Sequence, residues 1–351
     1  MTVRSASPAE PRLQQSRDFE TEYDAGITAA VFSDTGTLAV ALGDGSLQLI
    51  DADQTVRAAE AHDGAALCLA LDIDGRSFIT GGDDGRLVHT ANDGSTIVLL
   101  NAPGRQIDVL AISRSANTRA VAVGKEIRLL DSAGTVFART SDHPSTISGL
   151  AFNPEGKRLA VSHYGGVTLW WTTALSGTPQ RLEWRGSHIG VAWSPDGTCV
   201  LTPMQECELH GWRLRDSEST AMRDYATKVR SMDWLAKPPW LVTAGADCVI
   251  AWPFTGGGPQ GRAPAEFCQG VGTLVTRVAV HPKQPLLAAG FDDGCVAVCG
   301  LPNKPGERIF RIRPADGSRV TALAWSHDGT RLAAGTETGA LSLLDLSYAG
   351  A

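Results

Sequence analysis

Val191-Ala192-Trp193-Ser194-Pro195-Asp196-Gly197 decides the architecture, together with the apolar run Thr198 to Leu201 and the close on Leu209-His210-Gly211-Trp212. An alternating run meets a large aromatic, then a Ser-Pro-Asp-Gly turn, then a second apolar run. Period-2 runs bounded by Gly, Asp and Pro are strands joined by hairpins. Asp-Gly supplies the positive backbone angles that a tight hairpin needs.

The same signal recurs at Phe32-Ser33-Asp34-Thr35-Gly36, Leu71-Asp72-Ile73-Asp74-Gly75, Phe152-Asn153-Pro154-Glu155-Gly156 and Trp325-Ser326-His327-Asp328-Gly329. Weaker copies start at Ile112, Trp234 and Val280. With Trp193 this makes roughly eight anchors, about 40 to 45 residues apart, the period of a propeller array. Each unit closes on a tight turn and a third run, as in Asp44-Gly45-Ser46-Leu47-Gln48-Leu49-Ile50-Asp51. One four-stranded sheet cannot bury both of its faces, but radial packing against neighbours can.

A chain of 351 residues suggests two domains by length alone. A closed ring is the exception, because its core lies between blades and grows with their number. The 38 glycines suit a turn-rich fold, and no apolar run is long enough to span a bilayer. A net charge of −7 argues against nucleic-acid binding. Residues 1–11 lack a signal-peptide core. Seven cysteines, Cys68, Cys199, Cys207, Cys248, Cys268, Cys295 and Cys299, are odd in number and contain no CxxC pair. They read as reduced core residues of a cytoplasmic protein. Cys295 and Cys299, four apart on one strand, are too distant for a disulfide and read as packing.

Residues 1–17 are polar and read as a flexible arm, with residues 18–351 forming one domain. The last unit reaches Leu341-Ser342-Leu343-Leu344-Asp345 and leaves no room for a fourth strand. The alternating stretch Asp18 to Tyr23 is therefore expected to supply the outer strand of the last blade and close the ring.

Blade one spans about Ile27 to Arg57. Blade two opens on Ala61-His62-Asp63-Gly64. Blade three, Ile107 to Val136, is degenerate, with Leu130-Asp131 at its close. Blade four starts at His143 and ends on Trp170-Trp171, and blade five ends on Trp212. Blade six runs from Lys228-Val229-Arg230 to Trp252, and the loop Thr255 to Pro264 leads to blade seven, about Val275 to Cys299. A Pro-rich loop, Leu301 to Glu307, precedes blade eight.

These repeats resemble the WD40 β-propeller family over nearly the whole chain. His62, Thr80 and Asp84 match three members of that family's structural hydrogen-bond tetrad, with Thr90 where Trp is expected. The expected fold is all-β: a WD40-like propeller of eight four-stranded blades, with seven as the alternative count. The style of the sequence is similar to bacterial WD40 proteins of unassigned role. The resemblance implies a non-catalytic scaffold that binds a protein or peptide. The ring covers its own sheet edges, so a monomer is expected, and charge and hydropathy lead to no nucleic-acid or membrane partner. One fold hosts many functions, so the site must be argued separately.

Loops on a rigid ring carry recognition. The turns joining second and third strands should share a face with the lead-ins to the innermost strands. Where other blades have Gly-Asp-Gly or Asp-Asp-Gly, blade four has His163-Tyr164-Gly165-Gly166, blade five Pro203-Met204-Gln205-Glu206-Cys207-Glu208, and blade six Ala246-Asp247-Cys248. The lead-ins add His188, expected at the channel mouth, and Lys228 with Arg230.

The plainest reading of this cluster is local packing, with Glu206 as the turn acid. As a docking site, its partner-binding residues are His163, Tyr164, His188, Met204, Gln205, Glu206, Lys228 and Arg230. Tyr164 and Met204 would supply apolar contact, and the two cations would take an acidic group. A zinc site drawing on His163, His188, Glu206, Cys207 and Cys248 is a further alternative, although their spacing matches no local metal motif. His210 reads as a hydrogen-bonded inter-blade histidine. His62 and His143 fit structural lead-in positions, His281 and His327 fall in hairpins on the opposite face, and His89 reads as buried or at an edge.

No nucleophile elbow, P-loop, dinucleotide fingerprint or zinc-protease motif is present. No catalytic residue and no cofactor is therefore assigned. A propeller enzyme could still gather residues from several blades around its channel, and it is kept as an alternative.

Overall fold

A computed structural model describes residues 12–173, 175–255, 258–301 and 309–349. Its regular structure is entirely β, arranged as eight antiparallel sheets that form an eight-bladed propeller. No helix among the described residues is long and apolar enough to cross a membrane.

Blade one shows why the sequence folds this way. Its strands are Ile27–Phe32, Leu38–Leu42, Ser46–Ile50 and Val56–Glu60, paired in that order. The second strand is buried throughout, because both of its faces are covered. Leu38, Val40 and Leu42 pack with Ala322, Ala333, Leu341 and Leu343 of blade eight. Ala39 and Ala41 pack the other way, with Ala66 and Phe78 of blade two. Alternation along a strand thus sends neighbouring residues into two different inter-blade cores. Large residues on one side and alanines on the other let the wedge-shaped blades fit.

The aromatic anchors also tie blades together. The Trp193 indole donates to the Ala151 carbonyl of blade four at 2.9 Å, and Trp325 donates to the Ala279 carbonyl of blade seven at 3.1 Å. Around the channel, hydroxyls on innermost strands reach the next blade. Thr28 donates to the Ala66 carbonyl at 2.8 Å, Thr276 to that of Val320 at 2.8 Å, and Thr321 to that of Ile27 at 2.6 Å. The last of these crosses the point where the ring closes.

That closure is made by the N-terminal strand. Arg12–Glu22 pairs antiparallel with Ala340–Ala349 as the outer strand of blade eight. Phe19 and Tyr23 pack on the core shared by blades one and eight. The strand begins at Arg12, ahead of the expected Asp18, so residues 12–17, expected in the arm, are strand; residues 1–11 lie outside the described residues.

Three expectations change. The Gly-Pro stretch after Trp252 lies inside blade six, because Ala265–Phe267 is that blade's outer strand. The Pro-rich loop after Leu301, whose residues 302–308 lie outside the described residues, likewise precedes Ile309–Arg313, the outer strand of blade seven. Outer strands are less buried than the strands inside them, so their apolar pattern is weak, and that of blade six is only three residues long. Finally, the cysteines are not all reduced. Cys268, after the outer strand of blade six, forms a disulfide with Cys299 on the third strand of blade seven, with Cα atoms 6.5 Å apart. Disulfides persist in oxidising surroundings, so the cysteines no longer argue for the cytoplasm. Cys295 is buried packing, as expected.

Candidate functional site

The second–third turns and the lead-ins do share one face. The His62 amide donates to the Gly45 carbonyl at 3.1 Å, Ile147 to Gly124 at 2.9 Å, and Thr227 to Gly245 at 3.0 Å. Each bond ties the turn of one blade to a lead-in beside it. This face is the rim on which the candidate residues were expected.

Much of its polar chemistry is structural. The His62 ring lies 2.9 Å from the Thr80 hydroxyl and 3.1 Å from Asp84, as the tetrad requires. His143 accepts the Trp170 indole at 3.1 Å and donates to the Lys125 carbonyl at 2.8 Å. Blade six does the same work with a residue the sequence gave no reason to suspect. The Tyr225 hydroxyl sits 2.8 Å from that of Thr243 and accepts the Trp252 indole at 2.7 Å. Burial pushes the Tyr225 phenol up to about 12, so it remains a donor.

Blade four makes its turn inside a continuous strand, Arg158–Trp171. Gly165 and Gly166 take φ of 92° and 141°, and a side chain on Gly166 would collide with the Leu182 carbonyl. The His163 ring is spent within this turn: one nitrogen donates to the Tyr164 carbonyl at 2.9 Å, and the other meets the Thr168 hydroxyl at 2.8 Å. Ser145 accepts the Tyr164 amide at 2.8 Å. With its backbone held, the Tyr164 ring projects outward and is 57% exposed. Beside it lies a cleft of about 630 Å³ lined by Pro144, Tyr164, Leu182, Trp184 and Arg185, among others.

His188 is fully buried and does not line the channel mouth. Its ring nitrogens meet the Thr202 hydroxyl at 2.7 Å and the Trp184 carbonyl at 2.9 Å. Met204 is buried opposite it, in an isolated bridge. Burial holds both His163 and His188 below the usual histidine range, hence neutral. Gln205 and Glu206 are exposed, and the Glu206 carboxylate accepts the Ser187 amide at 3.1 and 3.3 Å. His210 makes no side-chain hydrogen bond, contrary to expectation. It stacks on Trp184 of blade four at 3.9 Å and meets Trp212 edge-on at 4.6 Å. Burial lowers its pKa to about 4.

The zinc alternative does not assemble. His163 and His188 have both ring nitrogens engaged, and Cys248 is buried. Among the described residues no group of three or more His, Cys, Asp or Glu side chains could hold a metal ion.

Lys228 and Arg230 are drawn to a different place. They line a cavity of about 380 Å³ together with Arg277 of blade seven and Arg319, at the lead-in to blade eight. Neither of the latter two was foreseen. A signal existed: Lys228 and Arg230 flank Val229, three residues before the innermost strand Met232–Ala236, and Arg319 precedes Val320, which opens the innermost strand Val320–Trp325. Arg277 follows the corresponding Val275 by two residues. The opposite face has a larger cavity, about 700 Å³, built from the first-to-second-strand turns, including His281 and His327. Several of its polar groups are satisfied locally. His281 donates to the Gly329 carbonyl at 3.0 Å, and Arg331 donates to that of Gly36.

Eight radial four-stranded blades, inter-blade indole bonds and His- or Tyr-centred hydrogen-bond sets define a repeat propeller that presents turns around a channel. The arrangement is that of a WD40-repeat propeller, and two WD40 family models match parts of the chain. The family model described as WD domain, G-beta repeat matches residues 53–89, and that of the anaphase-promoting complex subunit 4 WD40 domain matches residues 273–350. The chain is 26% identical over 221 residues to the intraflagellar transport protein 80 homologs of Mus musculus and Rattus norvegicus, covering 59% of this chain. That stretch is 26% of each relative, so the chain spans about a quarter of the length of these relatives. Among solved structures it is similar to the computationally designed Ika8 protein, with TM-score 0.73, 18% identity and coverage of 92% of this chain and 97% of that one. It is also similar to a chain of the mitotic checkpoint complex, with TM-score 0.62, 16% identity and coverage of 98% and 96%. At these identities the structural likeness concerns the fold alone.

Proposed function

We propose that this protein is a non-catalytic scaffold that binds a protein partner through the rim built from its second–third turns and strand lead-ins. The observation that carries this reading is Tyr164. An aromatic ring 57% exposed, on a turn whose backbone is fixed, beside an open cleft, is the kind of residue that anchors an interface. Gln205, Glu206, Lys228 and Arg230 extend the same rim as polar contacts. His163, His188 and Met204 act from beneath, holding the turns that present them. The partial likeness to a protein named for intraflagellar transport is in keeping with work inside an assembly.

The test is affinity capture from native lysate with the wild type and Tyr164→Ala, both checked for fold by circular dichroism. A partner retained by the wild type and lost by the folded variant supports the reading. A partner held equally by both moves the interface off this turn.

A further inference from the structure

We infer that the cavity lined by Lys228, Arg230, Arg277 and Arg319 binds an acidic segment of a protein partner, one that presents clustered carboxylates or phosphates to the channel mouth. This deepens the scaffold reading and rests on it.

The charge arrangement is the first argument. Cations from blades six, seven and eight converge on one cavity in a chain of net charge −7. Several arginines elsewhere have acids: Arg57 meets Asp51 at 2.6 Å, Arg114 meets Asp34 at 2.6 Å, and Arg119 meets Asp72 at 2.7 Å. Among the described residues none of the four cavity cations is paired with a carboxylate.

Pre-organisation is the second. Arg277 donates from Nε to the Thr321 carbonyl at 2.6 Å and from Nη1 to its neighbour Thr276 at 2.9 Å. Two of its three nitrogens are thus pinned, while Nη2 makes no bond among the described residues. A guanidinium held this way loses little freedom when an anion arrives. Burial, with the charges of Arg230 and Arg319, holds Arg277 below the usual arginine range. A bound anion relieves that repulsion.

Size selects the ligand. A cavity of about 380 Å³ takes a few side chains. Nucleic-acid binding draws on many successive phosphate contacts, and the net negative charge of the chain opposes them. A short acidic stretch of polypeptide fits both the volume and the charge, and the neighbouring rim offers the rest of a protein interface.

The test uses the full chain and fluorescence anisotropy with three labelled peptides of one backbone sequence: Glu-rich, phosphoserine-rich and the Gln-rich control. The Glu-rich or the phosphoserine peptide is expected to bind and the Gln peptide not, which also tells carboxylate from phosphate. Arg319→Glu, at an exposed position, and Arg277→Gln should each weaken binding by about tenfold or more. Arg114→Glu, on the opposite face, should leave it unchanged. The affinity should fall as salt is raised. The inference is overturned if neither charged peptide binds better than the Gln control, if Arg319→Glu binds like wild type, or if a single-stranded oligonucleotide binds more tightly than both peptides. Partner capture that is lost in Tyr164→Ala but unaffected by Arg319→Glu overturns this inference and leaves the scaffold reading standing.

Discussion

Asp72 and Arg119 form a buried ion pair that joins blade two to blade three, and breaking it should be costly out of proportion to its net worth. Asp72 sits where the first strand of blade two ends, and Arg119 lies on the second strand of blade three, Thr118–Val123. They are 2% and 4% exposed. Arg119 donates from Nε and Nη2 to the two carboxylate oxygens, each at 2.7 Å, and from Nη1 to the Asp131 carbonyl. At an effective dielectric of about 20, the Coulomb attraction of such a pair is about 4 kcal/mol. Desolvation costs several kcal/mol per ion, so the pair comes out near neutral against an apolar replacement. What it contributes is blade register. Asp72→Ala leaves a buried guanidinium without its counter-charge and should destabilise by about 3–5 kcal/mol. The joint replacement Asp72→Leu with Arg119→Met should cost less than Asp72→Ala alone, a coupling of about 2 kcal/mol or more. Urea denaturation followed by the fluorescence of the nine tryptophans reads both. A midpoint for Asp72→Ala that corresponds to less than about 1 kcal/mol of loss, or a joint variant worse than the sum of its singles, would refute the reasoning.

Deleting residues 1–23 should remove the strand paired with Ala340–Ala349, together with the packing of Phe19 and Tyr23. At about 1.5–3 kcal/mol per large apolar side chain, the melting temperature should fall by about 10 °C, and the bared edge should promote aggregation. An unchanged melting curve contradicts closure by this strand. Acid should also destabilise. His210 is held at about 4, so the native state keeps it neutral while the unfolded chain takes up a proton below about pH 6.5. Stability therefore falls as pH drops from about 6.5 toward 4, with about 2 kcal/mol lost to this group by pH 5. His143, His163, His188 and His281, also lowered by burial, act in the same direction. Denaturant midpoints equal at pH 7 and pH 5 would contradict this. Replacing Cys268 and Cys299 together by serine opens a link across a sequence separation of 31 residues and should cost about 2–4 kcal/mol. Thermal melts of the double variant, and of wild type under reductant, should agree with each other and lie below the oxidised protein.

The fold was legible because its decisive signal is local and repeated. An aromatic such as Trp193 followed by Ser-Pro-Asp-Gly reports a hairpin each time it occurs. The missing outer strand after Leu341–Asp345 pointed to the closing strand without any structural knowledge. Outer strands were harder, because a segment such as Ala265–Phe267 is only three residues long and carries little pattern. The Cys268–Cys299 bond was invisible because it depends on which blades are neighbours, not on spacing. The rim was legible as a location but not as an inventory. Tyr164 reads from its place in a turn. The burial of His188 and Met204 follows from packing under that turn, which only the assembled blade reveals. Arg277 and Arg319 lie about one repeat apart and become one site only when the ring brings their lead-ins together.

The central claim is that the rim of second–third turns and lead-ins is the docking face. Hydrogen–deuterium exchange of the protein alone and with its captured partner tests it most directly, since the two faces of the ring are made of different peptides. The account predicts new protection at residues 163–166, 204–208 and 226–231. Protection confined to the opposite turns, residues 33–36, 194–197 and 326–329, would contradict it.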